Sequence, residues 1–290
     1  MSTLYLVATP IGNLEDMSLR AIRVLREIPL IAAEDTRTTR VLLDRYQIQT
    51  RMTSYHEHNK ATKLKEILAA LDAGDVALVS DAGTPGISDP GYELVVAAIA
   101  RGHTVTAIPG PCAAISALVV SGLPTDAFVF EGFPPRKAAA LARWIERIGH
   151  EPRTIVLYEA PHRLTHTVEA LAKAFPTRRL VLACELTKMF ESVWRGTCAG
   201  ALDHLRTHPP RGEYVLVLEG SQPEQPESWP KTRVLEELKR QLAAGATRRD
   251  AARMIAEQSG WNKRDVIALL HTSGCSLEDS NDEDLRRTED

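Results

Sequence analysis

Aromatic side chains are scarce in this sequence: Phe, Trp and Tyr make up 5% of its 290 residues. Composition therefore argues against a platform that stacks nucleic-acid bases on Phe, Tyr and Trp. Cysteine is scarcer still. Cys112, Cys184, Cys198 and Cys275 lie too far apart for Cys-x-x-Cys pairing, and no histidine cluster joins them at zinc spacing. Buried free thiols in a reducing compartment are expected instead, with no metal. No apolar run approaches the roughly 18 residues that cross a bilayer. The first residues show no basic segment or cleavage signal of the secretory kind. A soluble, cytoplasmic protein is expected. Charge of one sign is also lacking: 35 Lys and Arg stand against 38 Asp and Glu, a formal −3. Such a balance does not coat nucleic acid by bulk charge.

The balance is uneven along the chain. Residues 276–290 hold seven acids and two bases, and residues 1–132 hold 15 acids and 11 bases. Residues 134–215 carry 13 bases against 8 acids, and 227–275 carry 9 against 6. The positive excess falls in the middle and in the region before the tail, so the bulk figure hides a modest basic face.

An apolar share of 44% with 25% charged residues is ordinary globular composition. The length suits two domains and a small third. Residues 3–121 alternate short apolar runs, such as Leu4 to Ala8, Ile31 to Ala33 and Val76 to Val79, with amphipathic stretches. Five strand–helix units in succession predict a mostly parallel sheet with helices on both faces. After Gly122-Leu123-Pro124 the pattern changes. Strand-like runs at 128–130, 154–158, 180–184, 192–194 and 214–218, with helices at 137–148 and 162–174, predict a second, mixed sheet. Gln222 to Pro226 reads as a linker. Lys231 to Leu270 is helical in pattern, with stretches Thr247 to Gln258 and Lys263 to His271 parted by a turn in which Gly260 supplies positive φ. Residues 276–290 read as a disordered acidic tail. The expected domains are 1–123, 124–222 and 227–275.

Sheets of this kind carry their chemistry in loops beyond the strand C-termini. Thr9-Pro10-Ile11-Gly12-Asn13-Leu14 follows the first strand without the glycines of a dinucleotide fingerprint or the Gly-Lys-Ser/Thr of a phosphate loop. Taken alone, a plain connection is the stronger reading. Ser80 to Gly91 says more: three glycines let backbone N–H groups line a cavity, and Asp81 can meet an amine or a ribose hydroxyl. No Lys or Arg lies between Lys65 and Arg101, so a cationic or neutral ligand is favoured over a nucleoside triphosphate. A solvated connection with Asp89 capping the next helix is the competing reading. Ile108-Pro109-Gly110-Pro111-Cys112-Ala113-Ala114 ends the fifth strand, and three such turns from one sheet form a single pocket.

Acids and bases also gather at strand ends. Glu34-Asp35-Thr36-Arg37 suits a helix cap at Asp35 as well as a catalyst. Arg37 and Arg40 can hold phosphate or lie on a solvated helix face. In Tyr55 to Lys60, His56 and His58 lack the i, i+4 spacing of helical zinc ligands. Tyr158-Glu159-Ala160-Pro161-His162-Arg163 ends a strand and opens a helix with proline in its first turn.

At these motifs, in this order and spacing, residues 3–275 resemble the ribosomal-RNA-modifying branch of the tetrapyrrole-methylase-like (class III) S-adenosylmethionine-dependent methyltransferases. The resemblance implies two α/β domains with a cofactor cleft between them, plus a small C-terminal helical domain. It implies methyl transfer from S-adenosyl-L-methionine to the ribose 2′-oxygen of a cytidine in the decoding region of 16S rRNA, within the small ribosomal subunit, by a homodimer. By motif, Pro10, Asp81, Ala82 and Gly83 match one wall of the cofactor site, and Pro109, Gly110, Cys112 and Ala113 match a second. Tyr158, Glu159, Ala160 and the strand 214–218 approach from the other domain. Asp35 or His56 is the expected general base, and Arg37 and Lys60 are the expected phosphate contacts.

Two rivals stay open at this point. The fold equally serves a tetrapyrrole or protein acceptor, although Tyr55 to Lys60 and the helical C-terminal domain favour RNA. A DNA-binding regulator using residues 247–271 would leave the sheet domains without a task.

Overall fold

The computed structural model describes residues 1–221 and 229–272. The expected linker at 222–226, Cys275 and the tail at 276–290 lie outside the described residues. The chain divides into two compact units, Met1–Ser221 and Gln222–Asp290.

The first unit opens with β1 (Thr3–Val7), α1 (Leu19–Glu27), β2 (Leu30–Ala33), α2 (Thr36–Arg45) and β3 (Met52–Ser54). It continues with α3 (Lys60–Ala73), β4 (Val76–Val79), α4 (Tyr92–Ala100), β5 (Thr104–Ile108) and α5 (Ala113–Ser121). The strands lie in the order β3-β2-β4-β1-β5, and every pairing is parallel. Every residue of β2 and β4 is buried, as strands covered on both faces must be. Val7 of β1 joins Leu25 of α1 and Leu43 of α2 on one face. Leu4 of the same strand joins Leu68 of α3 and Leu94 of α4 on the other. Each such side chain contributes about 1.5–3 kcal/mol of burial.

A second sheet follows, with β6 (Phe128–Phe130), α6 (Ala138–Gly149), β7 (Thr154–Glu159), α7 (Pro161–Ala174) and β8 (Arg179–Cys184). After them come β9 (Ser192–Thr197), α8 (Cys198–Thr207) and β10 (Tyr214–Leu218). The order is β6-β7-β10-β8-β9; β6 and β7 are parallel and the other pairs antiparallel, so the sheet is mixed as expected. Helices α6, α7 and α8 pack on one face. The other face is covered by α5, whose Ala114, Ala117 and Leu118 join Val156, Val181 and Val215. Thus α5 follows the first sheet in sequence but packs on the second. Sequence reading missed α8, since Cys198-Ala199-Gly200 is a weak helical start. It forms because the Thr197 hydroxyl accepts from the Gly200 N–H at 3.1 Å and because Cys198, Ala201 and Leu205 are buried.

The second unit holds α9 (Lys231–Ala243), α10 (Arg248–Ser259) and α11 (Lys263–Thr272) around a core that includes Val234, Leu238, Ile255 and Val266. Thr247 caps α10 by accepting from the Asp250 N–H at 3.1 Å, and Gly260 ends that helix with φ 68°. No helix among the described residues is long and apolar enough to cross a membrane.

Candidate functional site

Because β4, β1 and β5 are neighbours, the loops at their C-terminal ends meet. Thr9 and Gly83 exchange both backbone hydrogen bonds, at 2.9 and 3.0 Å. The Thr9 hydroxyl donates to the Ser80 carbonyl at 3.1 Å, and the Thr84 hydroxyl donates to the Pro111 carbonyl at 3.1 Å. The three turns are thereby tied into one wall. Gly110 is required by close approach, since a Cβ there would lie 2.9 Å from the Ala8 Cβ. Gly91 takes φ 149°, and a side chain there would meet Leu78. Ser88 also takes a left-handed conformation, with φ 65°, which costs energy in a residue with a side chain.

The facing wall comes from the second sheet: the end of β7, the segment after β8 and the start of β10. Between the walls lies a cavity of about 340 Å³. Ile11, Ala183, Leu186 and Val215 give it apolar surface, and Ala82, Gly83, Cys112 and Ala113 keep its near side uncrowded. The Tyr158 hydroxyl accepts from the Ala114 N–H at 3.2 Å, which ties β7 to α5. Its ring meets Phe130 and Phe133 edge-on, with centroids 4.9 and 5.7 Å apart. Burial holds the Tyr158 phenol well above its usual range.

Four carboxylates line the cavity, and three are already satisfied. Glu159, 2% exposed, accepts from the Ala160 N–H at 2.9 Å and the Thr167 hydroxyl at 2.5 Å, with Arg163 at 3.5 Å. Glu185 and Glu213 share the Lys188 ammonium, at 2.9 Å each. Asp89 has no such cation among the described residues. Burial pushes its carboxyl up to about 7, helped by the charges of Glu34 and Asp81 and opposed by the Ser80 hydroxyl. Glu34 and Asp81 are raised as well, chiefly by burial. The Asp81 N–H donates to Glu34 at 3.3 Å, and the Asp35 N–H donates to Asp81 at 3.0 Å. The ends of β2 and β4 thus hold three carboxylates, Glu34 from the first and Asp81 and Asp89 from the second, in one electrostatic group.

Of the residues expected at the cofactor, Ala82, Gly83, Cys112, Ala113, Tyr158, Glu159 and Ala160 line the cavity. Pro10, Asp81, Pro109 and Gly110 do not form its lining but shape the loops behind it. Asp35, His56, Arg37 and Lys60 also stand outside the lining. Asp35 caps α2 by accepting from the Arg37 N–H at 2.8 Å, and its carboxylate grips the Arg37 guanidinium at 2.6 Å. That contact holds Asp35 down at about 2. Lys60 is paired with Glu57, at 2.8 Å, and with Glu93. His56 is close enough to Glu34 to ease its charge, and its Nδ1 is buried without a partner.

Asp89 does not cap the following helix; Gly91 occupies that position without a side-chain bond. Sequence reading also missed Ile11, Glu185 and Lys188. The segment that carries Glu185 and Lys188 turns with Glu185 and Thr187 at φ of 51° and 66°, which no local residue pattern announces. Among the described residues, Cys112, Cys184 and Cys198 are free thiols, and no group of three or more His, Cys, Asp or Glu is placed to hold a metal ion.

Comparison with known proteins bears on this cavity. A family model described as Tetrapyrrole (Corrin/Porphyrin) Methylases matches residues 3–202. A Synechocystis sp. protein named Ribosomal RNA small subunit methyltransferase I is 48% identical over 271 residues, covering 93% of this chain and 97% of its own. A Halalkalibacterium halodurans protein of the same name is 44% identical, with 93% and 94% covered. Among solved structures, uroporphyrin-III C-methyltransferase from Thermus thermophilus complexed with S-adenyl homocysteine aligns with a TM-score of 0.54. It is 17% identical and covers 76% of this chain and 97% of that one.

Proposed function

The chain belongs to the tetrapyrrole methylase family, and from the name shared by its relatives at 48% and 44% identity we propose that its acceptor is the RNA of the small ribosomal subunit. It is an S-adenosylmethionine-dependent methyltransferase. The finer proposal is that the methyl group goes to the ribose 2′-hydroxyl of a cytidine. The solved tetrapyrrole enzyme shares the fold at 17% identity, which carries no claim about the acceptor.

The single observation that carries the reading is the cavity itself: apolar walls, its one lining cation consumed by two carboxylates, and one carboxylate left open. That set fits S-adenosylmethionine. When bound, it supplies an electrophilic methyl on a positively charged sulfur, and the charge disappears in the transfer. Ala82, Gly83, Cys112 and Ala113 on the near side, with Tyr158 and Ala160 opposite, are the residues proposed to hold it. Glu159 acts through the backbone it fixes. Pro10, Asp81, Pro109 and Gly110 set the loops.

A ribose hydroxyl is a poor nucleophile until its proton leaves. Asp35, held ionised by Arg37, is a weak proton acceptor, and its proposed role becomes that of anchoring Arg37. Asp89 is a better acceptor, because a base works best with a pKa near the working pH. His56, with its unpartnered Nδ1 near the same carboxylates, is the second acceptor. Arg37 and Lys60 meet RNA phosphate by exchanging one anion for another.

We further propose that the protein acts in the cytoplasm as a homodimer, with the two sheets forming separate domains parted near Leu123. Exposed apolar residues support pairing. Tyr92, Val96 and Ile99 form a stripe along α4, and Ile115 and Val119 lie one turn apart on α5.

The test is to incubate the protein with methyl-labelled S-adenosylmethionine and small subunits lacking the native methylation, then map the label. Label on a cytidine ribose is expected. Label on a base, on protein or nowhere overturns the proposal.

A further inference from the structure

A second concavity, of about 620 Å³, lies where β8, β9 and the start of β10 meet the end of α8. Its floor holds three rings in near-parallel planes. The Trp194 indole stacks on His204 with centroids 5.2 Å apart and planes at 19°, and His204 stacks on His208 at 4.4 Å and 20°. The ladder follows from sequence spacing. His204 and His208 are four residues apart and so share one side of α8 and its C-terminal end. Trp194 lies flat over Gly196, where any side chain would overlap the indole. His208 is the exposed end of the stack. Burial and the neighbouring His208 both lower the pKa of His204, so both disfavour a charge on the inner ring.

Two further features flank the ladder. Phe190 lines the same concavity and is 78% exposed, beside Met189 at 90%. A large apolar ring left in water next to a groove marks a contact surface. Arg211 also lines the groove and is exposed, and its guanidinium meets no carboxylate among the described residues. The stretch 134–215 that contains all these residues carries a positive excess, with 13 bases against 8 acids. The groove also adjoins the methylation cavity: Glu185 and Tyr214 line both. A ligand lying here therefore leads towards the reacting site.

We propose that this groove is a second substrate site, which takes an unpaired base of the RNA on the Trp194–His204–His208 ladder and Phe190, with Arg211 on the adjoining phosphate. Flat stacked rings beside a free guanidinium suit a nucleotide, which has a π face and a charge, better than they suit a protein surface. The composition argued against a platform of Phe, Tyr and Trp, and the fold supplies one in which two of the four rings are histidines. The proposal rests on the reading of the chain as an RNA methyltransferase.

The experiment uses the full chain and two probes, a labelled single-stranded oligocytidylate and unmethylated small subunits. The variants are Phe190→Ala, His208→Ala, His208→Phe and Arg211→Ala, with Leu19→Ala on exposed α1 as a control. Each alanine variant at the groove is expected to weaken oligonucleotide binding about fivefold or more. Each should also raise KM for subunits, with kcat and calorimetric affinity for S-adenosylmethionine unchanged. His208→Phe should restore binding, because it keeps the ring. Unchanged affinity and KM in all three alanine variants overturn the groove. A shift to a lighter species in sedimentation, with RNA affinity kept, also overturns it and makes the surface a protein contact. If the unaltered protein methylates no subunit RNA, the underlying reading fails; if it methylates and the variants match it, the groove alone fails.

Discussion

Asp89 lies between Ser88, which has φ 65°, and Pro90, whose ring disfavours the helical conformation for the residue before it. Its raised pKa gives two linked expectations. The unfolded carboxyl titrates near 3.8 and the folded one near 7, so the folded protein binds the extra proton between those values. The group's contribution to stability is fully present below about 3.8 and is lost as pH rises through 7. Asp89→Asn should therefore stabilise the protein at pH 8 by about 1–2 kcal/mol, allowing for solvent screening of a partly exposed group, and should change little at pH 4. Denaturant midpoints at the two pH values check this. The same substitution should lower kcat about 10²–10⁴-fold and remove an inflection near pH 7 from the rate profile. An inflection that survives in Asp89→Asn removes Asp89 from the role of acceptor. Asp35 could be read as a cap because an acid before Thr-Arg at a strand end is a local pattern. Asp89 could not be read as an acceptor, since its state is set by burial, by Glu34 from the end of β2 and by Asp81 in its own loop.

Helices and strands show the same division. The buried runs of β2 and β4 and the amphipathic spacing of α1 and α6 are written in neighbouring residues, and those elements are where the sequence places them. The segment that forms α8 carries its signal in contacts with the rest of the second sheet. At the start of α7, Glu159 receives a backbone N–H and a Thr167 hydroxyl in a buried site. Glu159→Ala leaves those donors and Arg163 without their acceptor and should cost about 3–5 kcal/mol, read as a fall in the urea midpoint. Glu159→Gln should cost less, because it keeps an acceptor oxygen. On α8, removing the neighbouring charge with His208→Ala should move the His204 pKa up towards its ordinary value, seen in an NMR titration of the imidazole. The folded value lies below the unfolded one, so stability from the neutral His204 is present above about 6.5 and is lost as pH falls.

For the whole molecule, every residue that lines the methylation cavity belongs to the first unit, and the helical unit has its own core. A chain ending at Ser221 should therefore keep its affinity for S-adenosylmethionine by calorimetry. Cofactor at 100 times its Kd should stabilise that piece by about 2.7 kcal/mol, as it does the full chain. Loss of cofactor binding in the shortened protein would show that the helical unit supports the cavity.

The resemblance of its strand-end loops to a known family pointed to seven residues that line the cavity, and sequence alone determined the parallel sheet, the mixed second sheet and the helical third region. These are properties of neighbours in the chain, where hydrophobic period and turn chemistry act over a few residues. Only the tertiary structure decided which acids are neutralised, which carboxylate faces the cavity open, and which rings stack into a groove. Those outcomes depend on groups distant in sequence whose charges and surfaces meet only after folding. Lys188 pairs with Glu185 and Glu213, burial and Glu34 raise Asp89, and β9 brings Trp194 against a histidine of α8.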